Sequence, residues 1–189
     1  MAASIADALN SVLPGFASED SVTVGLSCLA VQIILAALFA FVLKGPWKTE
    51  PGFTAHQVVC FPLMIILAYL GVTNYYAPDD RFATPESRVL EPHPVGTMMS
   101  QMVLGMMVFW DIPTGLLVQS LREPLMVAHH FGMALTAMLG LSYYSYHALF
   151  FYGIIELSGI FLSIVDLFHP KHAGWCAVAP SRTPESRSQ

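Results

Sequence analysis

An all-α bundle of about five membrane-spanning helices is the fold this sequence predicts, and three observations predict it. The 189-residue chain is 55% hydrophobic and only 11% charged, with a mean hydropathy of +0.60, which is too apolar for a soluble domain of this size. Its apolar residues gather in five segments, each near the ~20 residues that carry a helix across ~30 Å of hydrocarbon. The few polar residues inside those segments include an adjacent pair, His129 and His130. A hydrocarbon environment tolerates such groups only when something satisfies them.

Residues 1–21 read as an N-terminal tail. They hold no Lys or Arg and carry Asp7, Glu19 and Asp20, so the positive region of a secretory signal and the Arg-rich bias of a mitochondrial presequence are both missing. Ile5, Leu9, Val12, Leu13 and Phe16 fall near helical spacing, which suits a short helix lying in the interface. A single membrane domain, 22–168, follows, with spans expected at Val22 to Leu43, Thr54 to Tyr76, Val95 to Val118, Pro124 to Leu141 and His147 to Phe168. The proline-rich loop from Ala77 to Pro94 is the one long connection. Residues 142–147, Ser-Tyr-Tyr-Ser-Tyr-His, suit an interfacial reversal between the last two spans. Residues 169–189 read as a polar C-terminal tail.

Lys44 and Lys48, then Arg122, then Lys171, Arg182 and Arg187 collect on one side of the membrane, against Arg81 and Arg88 on the other. The C-terminus is therefore expected on the cytoplasmic side. A rise of ~1.5 Å per residue then puts His56, Asp111, His129 and His130 within roughly 3 to 11 Å of that boundary, with Glu156 about 18 Å deep. Four spans send polar groups toward one half of the bundle. Ala128, Gly132, Thr136 and Gly140 repeat every four residues, a small-residue stripe that predicts close helix contact. Pro113 is expected to kink the third span. Trp47, Trp110 and Trp175 fall where an aromatic belt would lie.

In order along the chain, Trp47 with His56, then Gly105 to Asp111, then Pro124 to His130, then Glu156-Leu-Ser-Gly-Ile-Phe-Leu162 resemble motifs of the TRAM-LAG1-CLN8 (TLC) domain family. These are multi-pass membrane proteins linked to lipid metabolism that include the ceramide synthases. The resemblance implies an endoplasmic reticulum or other organelle membrane. It also departs from the synthases, whose helix after the His pair carries acidic residues where this chain has Glu156 and Ser158. The family domain also normally continues through a further helix. A shortened domain implies a groove for lipid or a partner membrane protein to fill.

The favoured expectation is a non-catalytic protein that binds or organises lipid, or serves as a small subunit of a membrane complex. His56, Asp111, His129, His130, Glu156 and Ser158 would line its polar site. The alternative that the resemblance implies is a lipid N-acyltransferase. There His129 or His130 would take a proton from an amine attacking an acyl-CoA thioester, with Asp111 orienting the imidazole. No cofactor is expected in the favoured reading; acyl-CoA enters only as a co-substrate of the alternative. Nothing basic or basic-aromatic marks a nucleic-acid surface. Cys28, Cys60 and Cys176 are too dispersed for a metal finger, and Met98, Met102 and Met106 read as flexible packing before a Cu(I) row. A membrane histidine can also ligate haem or a chlorophyll magnesium, which the local sequence does not distinguish.

Overall fold

The computed structural model describes residues 18–168; the expected interfacial helix and the polar C-terminal tail lie outside them. The described residues are all-α with no strand, and five helices are long and apolar enough to cross a membrane: Glu19–Val42, Pro51–Tyr75, Pro94–Leu117, Pro124–Ser142 and Ser145–Phe168. This is the multi-pass membrane bundle the composition predicts.

Boundaries shift where capping chemistry overrides hydropathy. The first helix starts three residues earlier than its apolar stretch, because Ser18 accepts the Ser21 N–H at 3.2 Å and Glu19 and Asp20 sit in the first turn, where acidic groups complement the helix dipole. Prolines at the first turn open the second, third and fourth spans, where their missing N–H costs nothing. The fifth span begins at Ser145 rather than His147, so the reversal tightens to Tyr143 and Tyr144, with Tyr144 at φ 61°.

The third span is the centre of the bundle, 56% of its apolar window buried against 17% for the first and fourth. It packs on the first and fourth, and the second packs on the first and fifth. Two places bring backbones together because both partners are glycine. A Cβ on Gly71 would collide with the Gly153 Cα, and one on Gly25 would collide with the Gly105 oxygen. Without a water-driven hydrophobic effect between helices, such close contact is how lipid-embedded helices gain packing energy. The expected small-residue contact on the fourth span forms only in part. Gly140 is buried against Ser100, whereas Ala128, Gly132 and Thr136 are not, because the fifth span diverges from the fourth below their shared turn.

Neither the third span nor the fifth is a regular α-helix. Residues Met107–Asp111 and Phe150–Ile154 are π-helical, marked by bonds from Ile112 N–H to the Met107 oxygen and from Ile155 N–H to the Phe150 oxygen at 3.1 Å. Pro113 explains the first, since its ring displaces the carbonyl four residues back. The expected kink is thus absorbed as a wider turn. Each π turn inserts one residue and rotates the remainder of its helix by about 100°.

Candidate functional site

Each π turn delivers a carboxylate. Asp111 closes the first, and Glu156 comes two residues after the second. Both then face a cavity of about 360 Å³ at the end of the bundle opposite the 77–94 loop. His56, from the second span, and His129 and His130, from the fourth, line the same space. Five of the six residues singled out in the sequence therefore meet. Ser158 does not; it is exposed, and its hydroxyl donates back to the Ile155 oxygen at 2.8 Å.

The sequence pairs Asp111 with one of the adjacent histidines, but the structure pairs it with His56. His56 Nε2 and Asp111 Oδ1 are 2.7 Å apart, and the two residues are 7% and 4% exposed. Such burial lengthens the life of the contact, because breaking it would strand two polar groups in a low-dielectric interior. His56 Nδ1 and His130 Nδ1 are buried without a hydrogen-bond partner. Both residues line the cavity. The His129 and His130 rings lie 5.8 Å apart, splayed by the ~100° step between helix neighbours.

Trp110 departs from the place its sequence suggests. A position near a span end suits an interfacial belt, yet this side chain is completely buried. Its ring stacks on His56 at 4.8 Å between centroids and its indole N–H donates to the Gln32 carbonyl oxygen. Gln32 in turn donates to the Gly52 oxygen at 3.3 Å. A chain of contacts from the first span thus fixes the plane of His56. Gln32, a lone amide inside the first apolar segment, is the sequence signal that points to it. Trp47 does sit at the margin, its indole donating to the Leu167 oxygen at 3.3 Å.

A second cavity, of about 450 Å³, runs between the diverging fourth and fifth spans. Its walls are almost wholly apolar, with Met133, Thr136 and Leu139 on one side and Phe151 and Ile155 on the other. It shares His129, Met133 and Glu156 with the polar cavity. From Ser142 to His129 the fourth span rises about 20 Å, so the groove is long, with His129 and Glu156 at one end and Tyr144 and His147 at the other. Among the described residues no cluster of three or more metal-binding side chains occurs. Met106 is fully buried and Met98 exposed, so the methionine row faces no single space.

No family model, curated protein or solved structure matches the chain.

Proposed function

We propose that the protein binds one lipid-like amphiphile, its chain in the groove between the fourth and fifth spans and its polar end among His56, His129, His130 and Glu156. The single observation behind this reading is that an apolar and a polar cavity share His129, Met133 and Glu156 as a common wall. Ligand pockets combine that kind of apolar lining with a few convergent polar groups. The two buried, unpartnered imidazole nitrogens supply the polar end with positions that a headgroup oxygen or amine can complete. The excess of basic residues at the polar end supports a cytoplasmic orientation for this chamber, and the TLC resemblance adds an organelle membrane to the proposal.

Thr136→Trp tests the reading, because the side chain lines the groove and is exposed. Lipid co-purified in mild detergent and counted by native mass spectrometry should fall several-fold while the folded yield holds. Equal lipid in wild type and variant would overturn the proposal.

One observation favours a second reading. A buried His–Asp hydrogen bond of 2.7 Å beside a histidine pair is a constellation that can hold an imidazole in one tautomer for proton transfer. In that reading the groove takes the acyl chain and acyl-CoA is the co-substrate. Turnover of long-chain acyl-CoA with a sphingoid amine, lost in His130→Ala, would replace the binding reading with this one.

A further inference from the structure

The opposite face of the bundle holds a separate cavity of about 410 Å³, roofed by the 77–94 loop. Three span ends frame it. Tyr75 closes the second span, His93 caps the third and Tyr146 is the second residue of the fifth. The cavity therefore lies at headgroup depth, where tyrosine belts form. Phe82, His93 and Tyr146 pack ring against ring, at 4.8 Å for Phe82 and His93 and 5.3 Å for Phe82 and Tyr146. Such a wall is rigid and polar only at its edges.

Asp79, His93 and Arg88 are the acidic and basic side chains that line the cavity, and they are engaged differently. The Asp79 carboxylate is engaged by Arg81 through bonds of 2.7 and 3.1 Å, so that pair is neutral within itself. His93 accepts the Gly96 N–H at Nδ1, which requires a neutral ring. Arg88 is left. Its Nε donates to the Phe82 oxygen at 2.8 Å and its guanidinium lies 5.1 Å over the Tyr146 ring, so the group is held in place half-buried. Its two terminal amino groups have no protein acceptor among the described residues. A fixed planar fork with two free amino groups matches the oxygens of a phosphate.

We infer that Arg88, together with the cavity it lines beneath the 77–94 loop, binds a phosphate group at the membrane surface. Two sources carry that chemistry, a phospholipid headgroup and free phosphate. The site is separate from the histidine chamber and stands whether or not the binding reading of that chamber does.

The test titrates the detergent-purified full chain with three probes: dihexanoyl phosphatidic acid, dihexanoylglycerol and inorganic phosphate. Arg88→Gln removes the fork. Ala83 is exposed and lines the same cavity, so Ala83→Asp adds a competing carboxylate while keeping the Arg88 side chain itself. Phosphatidic acid should bind wild type about tenfold tighter than Arg88→Gln, the scale of one partly solvated charge-assisted bond pair. Ala83→Asp should weaken it in the same direction, and dihexanoylglycerol should bind all three proteins alike. Arg88-dependent binding of phosphatidic acid with little of inorganic phosphate identifies the headgroup as the source, and comparable binding of both identifies the free anion. If Arg88→Gln does not fold, Ala83→Asp decides alone. Equal affinity of wild type and folded variants for both phosphate-bearing probes would overturn the inference.

Discussion

The bundle ends in two polar cavities of similar size, about 360 and 410 Å³, built on different principles. The chamber around His56 and Asp111 is lined by side chains from four spans, and His56, Asp111, Trp110 and Gln32 hydrogen-bond or stack across helices. The cavity under the loop is made by span ends and a short 3₁₀ turn, Asp80–Phe82, held by aromatic contacts and one arginine. Inside hydrocarbon a polar group has no water to fall back on, so the first chamber depends on every partner remaining in place. At headgroup depth water substitutes for a lost partner. Damage to the first should therefore spread, and damage to the second should stay local.

Trp110→Ala is the largest expected break in that contrast. It empties a fully buried indole site, removes the face on which His56 stacks and frees Gln32. Lipid is as apolar as the lost side chain, so the water-transfer part of the usual penalty is small and the cavity part dominates, about 3 kcal/mol. Thermal unfolding in detergent should shift down by several degrees. Tyr146→Ala at the other end should cost less, since its buried ring lines the loop cavity, where water replaces part of the lost contact. An equal or larger loss for Tyr146→Ala would reverse the proposed hierarchy.

Asp111→Ala and Asp111→Asn sharpen the same point at smaller scale. The alanine variant leaves His56 buried with neither ring nitrogen bonded, a cost of about 1–3 kcal/mol. The asparagine retains an acceptor at nearly the same place and should recover most of that loss. Denaturant titration of the three proteins checks the order. Identical stability of the two variants would mean that water already serves His56, and that the chamber is as forgiving as the loop cavity.

The same contrast explains which parts of the molecule are legible in the sequence. His129, His130, Asp111 and Glu156 stand out because each interrupts an apolar run, and the helices they sit on emerge from length and hydropathy. Their partners are not legible. Whether Asp111 meets His56 or His130 turns on a one-residue π insertion that periodicity does not encode, and Trp110 reads equally as belt or core. The loop cavity leaves no sequence signal at all. Arg88 and His93 sit among other polar residues, and only the fold shows that one is pinned over Tyr146 and the other is buried. A polar residue is informative in proportion to how much its surroundings should have excluded it.

The smallest expected effect is a pH response confined to the loop end. His93 caps the third span by accepting the Gly96 N–H through Nδ1 at 3.2 Å, while its own backbone N–H donates to the Ser145 hydroxyl at 2.7 Å. Burial pushes its pKa below the ordinary 6.5, opposed by the nearby Asp79 and reinforced by Arg81; Tyr146 and, beyond it, Arg88 complete the surrounding groups. The Arg81 bond in turn holds the Asp79 carboxyl below its usual range, so Asp79 keeps its charge between pH 5 and 7. With the folded pKa lower than the unfolded one, the unfolded state binds more protons in the interval between them, and stability rises with pH there. The contribution is complete above about 6.5 and is lost as pH falls through the folded value. The protection factors of the Gly96 and Thr97 amides, measured against their intrinsic exchange rates, should thus fall from pH 7 to 5, while amides around Asp111 stay protected. His93→Asn keeps a capping acceptor that does not titrate, so this loss of protection should vanish. The same pH response in the asparagine variant would remove His93 as its cause, and loss of protection around Asp111 over that range would show that the two ends of the bundle do not behave independently.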